Sequence, residues 1–238
     1  MTGLPDIWTF LSQEPLLWLT ATLLAYVVGD TVFLKSGKRA FVNPVLIAVS
    51  VLALLLWATD VSYGTYFEGA KFVHFMLGPA TVALAVPLYF NLDKVRAAAL
   101  PMFVALCAGS VTAILSVLAI AYAFGIRGEV LLSLAPKSVT APVALGVSEA
   151  IGGSPTLTAV LVIVTGIMGA VMASPLLNLL RITDWRARGF ALGVASHGIG
   201  TARAFQVNET AGAFAGIGMA LNALLTAIIA PVLIRIFV

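Results

Sequence analysis

Charged residues are scarce in this chain. Of its 238 residues only 10% are Asp, Glu, Lys or Arg, whereas 61% are hydrophobic. Soluble domains carry about 25% charged residues, and a water-facing surface cannot be built from so few charges. A soluble protein is therefore excluded, and no polar stretch is long enough to form a separate soluble domain. The composition predicts an all-α polytopic membrane protein with a single transmembrane domain over 1–238.

Cysteine is nearly absent, and so are the usual catalytic constellations. The one cysteine, Cys107, lies in an apolar run, which excludes a disulfide within the chain and a cluster of thiolate ligands. No nucleophile has a plausible base partner, no pair of metal ligands has helical spacing, and no phosphate-binding loop occurs. We therefore expect no enzymatic activity, no bound cofactor and no metal site.

The sequence also lacks a signal peptide and a nucleic-acid-binding patch. The N-terminal stretch MTGLPDIWTFLSQEP has neither a basic region nor a small-residue cleavage site, so we expect no cleaved signal. The net charge is +3, but the basic residues lie in short loops between hydrophobic segments. We expect these residues to orient the chain in the lipid bilayer rather than to bind nucleic acid.

Long hydrophobic runs are what the sequence has in abundance. A membrane-spanning helix needs about 20 apolar residues because the hydrocarbon core is about 30 Å thick. Eight segments are candidates: 15–34, 41–59, 72–90, 97–124, 130–148, 155–180, 189–207 and 211–234. The second, fourth, sixth and eighth are nearly uncharged, and we expect them to form continuous helices.

The third, fifth and seventh segments are interrupted. The helix-breaking residues are Gly78, Pro79 and Pro87 in the third segment, Pro136 and Pro142 in the fifth, and four glycines from Gly189 to Gly200 in the seventh. Each proline removes a helical hydrogen bond, and each unsatisfied backbone group in lipid costs several kcal/mol. We therefore expect these breaks to be buried in protein or to line a watery cavity. The four-residue spacing of Gly189 and Gly193 also predicts close helix packing.

The distribution of basic residues predicts how the segments cross the membrane. Basic residues favour the cytoplasmic side. With eight full spans and the N-terminus outside, the eleven basic residues other than Lys137 and Arg203 divide into five inside and six outside. If 130–150 is instead a re-entrant pair of half-helices, nine of the eleven lie inside, among them Lys38 and Arg186. The count favours seven spans plus a hairpin, with a cytoplasmic C-terminus; eight full spans remain the alternative.

The hairpin arrangement has a consequence for symmetry. Residues 41–124 and 155–237 become inverted copies of one pattern, in which a broken segment lies between two continuous ones. Inverted repeats with matching interrupted helices are typical of secondary transporters. The start of a half-helix carries unpaired N–H groups and a partial positive charge, and it is a natural site for a carboxylate.

Lys137 is the most informative residue of the fifth segment. A lysine at membrane depth costs roughly 2.5 kcal/mol or more. It can reach the interface or pair with Glu149, or it can be the counter-charge for an anionic substrate. We favour the substrate role, because Pro136 is expected to place Lys137 at the start of a new half-helix, with Ser138 and Thr140 as hydroxyl donors.

Several polar and glycine residues of the other broken segments are further candidates for substrate binding. His197 can donate to a substrate or carry a coupled proton, or it can bond a neighbouring carbonyl as a packing residue. Arg203 can contact substrate or lie at the interface near Glu209. The remaining candidates, which supply hydroxyl groups or close backbone approach, are Thr81, Gly198, Gly200 and Thr201.

Three of these stretches together resemble the LrgB/CidB family of bacterial inner-membrane proteins. They are LGPATVALAVPLY at 77–89, PKSVTAPVALGVSEAIGG at 136–153 and SHGIGTARAFQVNETAGAF at 196–214, and the similarity extends over about 16–231. One departure is Ala141, where many relatives have threonine, which puts a second hydroxyl contact in doubt.

The resemblance implies two different functions. The family is named for antiholin-like control of murein hydrolase export and lysis, often beside a smaller LrgA/CidA-type membrane partner. A plastidal plant relative transports glycolate and glycerate, and bacterial relatives are linked to pyruvate or related acids. We therefore expect a transporter of small monocarboxylates in the cytoplasmic membrane, driven by H⁺ or Na⁺ and dimeric through small-residue helix faces. The alternative is a holin-like protein; we favour the transporter because the continuous segments have no polar stripe.

Overall fold

The computed structural model describes residues 11–39, 42–76, 79, 82, 89 and 92–237. These residues are predominantly helical, and none of them lies in a β-strand. The chain divides into two compact units, Met1–Ala83 and Leu84–Val238. The prediction of an all-α membrane protein is confirmed.

The first unit contains three described helices, α1 (Pro15–Lys35), α2 (Pro44–Thr59) and α3 (Tyr63–Phe75). Helix α1 packs against both of the others at glycines. A Cβ on Gly29 would lie 2.5 Å from the Pro44 carbonyl oxygen, and a Cβ on Gly69 would lie 2.1 Å from that of Pro15. Because only glycine permits these distances, the backbones approach closely, as small residues allow in membrane proteins.

The second unit contains the longer helices and the deepest core. Its elements are α4 (Leu92–Ala97), α5 (Ala99–Ala123), α6 (Gly128–Leu134), α7 (Ala141–Ala150), α8 (Pro155–Leu179), α9 (Trp185–Val207), α10 (Glu209–Leu233) and a terminal 3₁₀ turn (Ile234–Ile236). Helix α9 turns back on itself at its break, because a Cβ on Gly200 would lie 2.8 Å from the Leu192 carbonyl oxygen. Helix α10 then runs parallel to the first half of α9.

The C-terminus lies at the end of the unit where α5 ends, because the Phe237 ring contacts that of Tyr122. The connection between α8 and α9 lies at the other end, since Asp184 shares a cavity with the start of α5. The prediction that the C-terminus and this connection both face the cytoplasm is therefore wrong.

Short polar side chains fix where these helices begin. Asn208 caps α10 by accepting from the Ala211 N–H at 3.1 Å, and Asp184 caps α9 by accepting from the Arg186 N–H at 2.8 Å. The Arg186 guanidinium also donates to this carboxylate, which holds the pKa of Asp184 down at about 2. The cap is therefore ionised at every physiological pH, and its negative charge suits a helix N-terminus.

Within the described residues, four helices are long and apolar enough to span a membrane: Pro15–Lys35, Ala99–Ala123, Pro155–Leu179 and Glu209–Ile236. They correspond to the first, fourth, sixth and eighth predicted segments. The second segment forms the shorter helix α2, which has 16 residues.

The third segment begins earlier than predicted. Helix α3 starts at Tyr63 rather than at residue 72, because Ser62 accepts from the Thr65 N–H. Glu68 and Lys71 form an ion pair one turn apart on this helix, so their charges do not end it. Of the predicted breaks in this segment, Gly78 and Pro87 lie outside the described residues, whereas Pro79 is helical and exposed.

The fifth segment is broken as predicted, and its two ends lie side by side. The Ser154 N–H donates to Ser133 Oγ at 2.8 Å, and a Cβ on Gly152 would lie 3.6 Å from Leu132 Cδ1. The chain therefore returns after α7 to the last turn of α6, as a re-entrant hairpin requires. The single domain, and the inverted repeats over 41–124 and 155–237 on either side of 130–150, stay predictions.

Helices α9 and α10 pack closely along their first halves. A Cβ on Gly189 would lie 2.0 Å from the Ala211 carbonyl oxygen, and a Cβ on Gly193 would lie 2.0 Å from the Ala215 carbonyl oxygen. These glycines are four residues apart and therefore share one face of α9. The close helix packing predicted from their spacing is confirmed.

Candidate binding site

The break between α6 and α7 is a series of tight turns. Residues 135–140 are not helical, and the N–H groups of Ala135, Lys137 and Val139 each donate to the carbonyl three residues earlier, at 3.0 to 3.3 Å. These donors are therefore already used, contrary to the expectation that the break leaves them free.

The predicted position of Lys137 at the start of a half-helix is wrong. Helix α7 begins at Ala141, with Thr140 as its N-cap residue. Pro142 fits the first turn of α7, where a missing N–H is tolerated. Of the two prolines, only Pro136 lies within the break, where it is fully buried. Lys137 therefore lies in the turns, four residues before the helix.

Lys137 lines a cavity and makes no salt bridge within the described part of the chain. Its Nζ donates to Ser138 Oγ at 3.1 Å. Glu149, the alternative partner suggested by the sequence, is exposed on the last turns of α7. The cation is thus held by a neutral hydroxyl, and it keeps donor capacity for a ligand, since an ammonium has three N–H bonds.

Helix α9 is broken at Ser196 and His197. Ser196 has φ −134° and ψ 18°, and His197 has φ 42° and ψ −135°. A positive φ is uncommon outside glycine, and such a backbone costs of order 1–3 kcal/mol unless its surroundings hold it. Here the His197 ring Nε2 lies 2.9 Å from the Val162 carbonyl oxygen, and the His197 carbonyl accepts from Thr201 Oγ1 at 2.8 Å.

Two glycines of α8 make room for this kink. A Cβ on Gly166 would lie 2.6 Å from His197 Cε1, and a Cβ on Gly169 would lie 1.6 Å from Ser196 Oγ. Because glycine has no side chain, both kink residues pack directly against α8. The imidazole is 4% exposed, so its place is in the packing between α8 and α9, as the packing alternative predicted.

The two breaks meet at one end of a cavity of about 660 Å³. Its lining on α8 runs from Val164 to Leu176, a length of about 18 Å at 1.5 Å per residue. Lys137 lies at the Val164 end. The adjacent Ser138 carbonyl and the Val194 carbonyl before the kink bond the same Asn222 amide, and the kink residue His197 contacts Val162. The lining contains four polar side chains, Lys137, Ser138, Thr165 and Ser196; the others are glycine, alanine or larger apolar residues.

Asn222 of α10 joins the two breaks, and sequence reasoning missed it. Its Nδ2 donates to the carbonyl oxygens of Ser138 at 3.2 Å and Val194 at 3.0 Å. Its Oδ1 accepts from Ser110 Oγ at 2.5 Å and Thr226 Oγ1 at 3.3 Å. The side chain is 1% exposed. The signal in the sequence that could have identified Asn222 was a polar amide within an apolar segment.

A second buried polar cluster ties the hairpin to α8. Thr158 Oγ1 contacts the Ser133 carbonyl oxygen at 3.0 Å and Ser148 Oγ at 2.7 Å. The three residues are 0% exposed. Because each hydroxyl has a protein partner, this cluster anchors the last turns of α6 and α7 to α8 rather than opening toward the cavity.

The other predicted site residues have different surroundings. Thr201 bonds within its own helix, and a Cβ on Gly200 would lie 2.8 Å from the Leu192 carbonyl oxygen, so both support the kink rather than line the cavity. A Cβ on Gly198 would have no neighbour nearer than Met219 Sδ, at 3.9 Å. Arg203 is buried against the first turn of α9, away from the cavity. Thr81 lies outside the described residues.

Metal ligands are not grouped in the described part of the chain. No three His, Cys, Asp or Glu side chains there could hold an ion together. The polar groups of the cavity are one ammonium and three hydroxyls, which suit an anion with lone pairs to accept their hydrogen bonds.

Comparison with known proteins identifies the family. A model of the LrgB-like family matches residues 22–236. The chain belongs to the LrgB-like family. The family resemblance therefore extends beyond the three motifs to nearly the whole chain.

Relatives match this LrgB-like chain along almost their entire length. The uncharacterized protein YwbG of Bacillus subtilis (strain 168) is 37% identical over 216 residues, which are 91% of this chain and 96% of YwbG. The holin-like protein CidB of Staphylococcus aureus (strain Mu50 / ATCC 700699) is 34% identical over 224 residues, 94% of this chain and 97% of CidB. YxaC of B. subtilis is 36% identical over 216 residues, 91% of this chain and 94% of YxaC. No solved structure matches the chain.

Proposed function

We propose that this chain is a secondary transporter of small monocarboxylates across the cytoplasmic membrane. The observation that carries the proposal is the position of Lys137. It is the one charged residue in the described lining of the cavity, and it lies where the two helix interruptions meet, with Ser138 and Ser196 beside it. A carboxylate supplies one negative charge and several acceptor lone pairs, which match one ammonium and neighbouring hydroxyls.

The shape of the cavity supports passage as well as binding. A second cavity of about 370 Å³ shares Ala105, Ala187 and Phe190 with the first and reaches Asp184 and Arg186 at the start of α9. The two together lead from Lys137 to the connection between α8 and α9. By the distribution of basic residues this connection faces the cytoplasm, so the path gives a carboxylate a cytoplasmic exit.

A holin-like function is the second candidate, and the name of the CidB relatives favours it. A membrane-permeabilising oligomer needs a polar stripe along a continuous helix. The continuous helices α5 and α8 carry no charged residue, whereas Lys137 lies at a break. This distribution supports the transporter over the pore.

Several further features belong to the proposal. The substrate crosses unchanged, without a catalytic step, and its movement is coupled to H⁺ or Na⁺. The chain forms a homodimer, works beside an LrgA/CidA-type membrane partner, and has its N-terminus outside. An experiment that disproves any one of these features leaves the proposed carboxylate site unaffected.

The deciding experiment is uptake into proteoliposomes. Labelled glycolate, glycerate, pyruvate and lactate are tested separately, with and without pH and sodium gradients, beside vesicles loaded with a self-quenching dye. We expect saturable uptake of at least one acid without dye release. Dye release without saturable uptake would support the holin-like function, and neither signal from a folded protein would contradict both candidates.

A further inference from the structure

The side chain of Asn222 has a defined orientation because of what it contacts. The carbonyl oxygens of Ser138 and Val194 can only accept hydrogen bonds, so the amide nitrogen must face them. The amide oxygen then faces the hydroxyls of Ser110 and Thr226. Both donors and both lone pairs of the amide are thus used, by partners in α5, the α6–α7 turns, α9 and α10.

Two of these partners belong to the two breaks. Ser138 follows Lys137 in the turns, and Val194 lies two residues before the kink at Ser196. In a regular helix the Val194 carbonyl would accept from the N–H four residues later, across the kink. Asn222 satisfies a carbonyl at each break, and both residues that carry these carbonyls line the cavity.

We propose that Asn222 is a positioning residue that couples the two breaks, so that a carboxylate bound at Lys137 and Ser138 changes the backbone at the α9 kink. This inference rests on the proposed carboxylate site. A ligand that moves Ser138 moves the acceptor of one Asn222 donor, and the other donor holds Val194. Coupling through a discrete element of this kind requires that both sites bias its position.

A cysteine at position 198 reports on the kink. Gly198 is partly buried directly after His197, is absent from the cavity lining, and has space for a side chain, because its nearest neighbour would lie 3.9 Å from a Cβ. The reporter is Gly198→Cys in a Cys107→Ala background, and the readout is its alkylation rate with and without saturating pyruvate. We expect pyruvate to change this rate by at least about fivefold, the lower end of typical couplings between linked sites.

Asn222→Leu tests the coupling, because leucine is similar in size and makes none of the four hydrogen bonds. Pyruvate is added at concentrations that saturate the Asn222→Leu variant, whose affinity we expect to be weaker. Under these conditions we expect the same alkylation rate with and without pyruvate. Thr226→Val is the matched control, since it removes one contact to the amide oxygen and leaves both breaks bonded; the pyruvate effect persists. Asn222→Asp is the second variant if leucine impairs folding, because it keeps both acceptors and loses both donors to the breaks.

The outcomes separate the coupling from the binding site. If pyruvate binds and still changes the alkylation rate as strongly in folded Asn222→Leu or Asn222→Asp, the coupling role is wrong and the carboxylate site stands. If neither pyruvate nor the other acids bind the parent reporter, or if Lys137→Gln leaves their binding unchanged, the carboxylate site and the coupling fail together. Loss of the rate change with retained binding supports the role of Asn222.

Discussion

Lys137 differs in its surroundings from the described cations that form ion pairs. Lys71, Arg96 and Arg186 each pair with a carboxylate on an exposed helix or loop surface. Such exposed pairs contribute little to stability, typically up to about 1 kcal/mol. Lys137 instead faces a mostly apolar cavity with a serine hydroxyl beside it, which is a cost to the empty protein that a bound anion relieves.

Replacing Lys137 by glutamine should therefore weaken carboxylate binding without unfolding the protein. Glutamine has a similar length and no charge, and a hydrogen bond to a charged group contributes about 1.5–3 kcal/mol. We expect the dissociation constant for the transported acid to rise roughly tenfold to hundredfold. The check is calorimetric titration or ligand-dependent thermal shift on the purified variant.

Glu149→Gln is the control for this prediction. Glu149 is exposed and forms no salt bridge with Lys137, so its neutralisation should leave both affinity and stability unchanged. A destabilised Lys137→Gln protein that recovers stability and affinity on addition of Glu149→Gln would contradict the binding role and identify a structural ion pair.

At the residue scale, the sequence predicted the location of the Lys137 side chain better than the conformation of its backbone. Lys137 and Ser138 do line the cavity, because a cation in an apolar run is costly in lipid and is stabilised where it can face polar groups. The turn bonds that occupy the N–H of Lys137 were not predictable, since they depend on how residues 135–140 turn. Asn222 was missed because most of its partners are distant in sequence and meet it only in the folded unit.

Among the elements, α9 combines a kink with the closest packing in the structure. Its first half contacts α10 through the carbonyls that face Gly189 and Gly193, and its kink contacts α8 through Gly166 and Gly169. The glycines of this segment therefore predicted both a helix break and close helix packing. The four-residue spacing marked packing against α10, whereas the kink itself falls at Ser196 and His197, just before two of the predicted breakers.

A single methyl group at Gly193 should separate α9 from α10. A Cβ there would lie 2.0 Å from a backbone oxygen, which cannot move without the whole helix. We expect Gly193→Ala to lower the free energy of unfolding by about 1–3 kcal/mol, the usual cost of overpacking, measured by thermal or chemical denaturation in detergent.

Gly198→Ala on the same helix is the matched control. Its Cβ would have no neighbour nearer than 3.9 Å, and alanine favours a helix over glycine by up to about 1 kcal/mol. Equal destabilisation by both substitutions would show that the loss comes from the helix backbone rather than from its contact with α10.

For the molecule as a whole, the hairpin determines which loops share a side of the membrane. Gly152 and Ser154 lie beside the last turn of α6, and α8 then has 25 residues, about 37 Å of helix. The charge count had favoured this arrangement from the sequence, because basic residues obey a bilayer asymmetry that needs no knowledge of packing.

Cysteine labelling tests the arrangement directly. In a Cys107→Ala background, we expect Arg127→Cys and Ala150→Cys to react with an impermeant maleimide from outside the cell. Arg186→Cys should react only after the membrane is permeabilised, because α8 crosses between them. Labelling of Arg127→Cys and Arg186→Cys from the same side would restore eight full spans.

The backbone contact between α9 and α10 has a mechanical consequence. Where the carbonyl oxygens of α10 rest on Gly189 and Gly193, the two helices have no space to slide past each other, so their first halves behave as one rigid body. Any motion that exposes Lys137 to opposite faces of the membrane in turn must then slide this body against α5 or α8. The moving surface is the wall of the cavity lined by Ala191 and Ala195, whose small side chains offer little resistance to sliding.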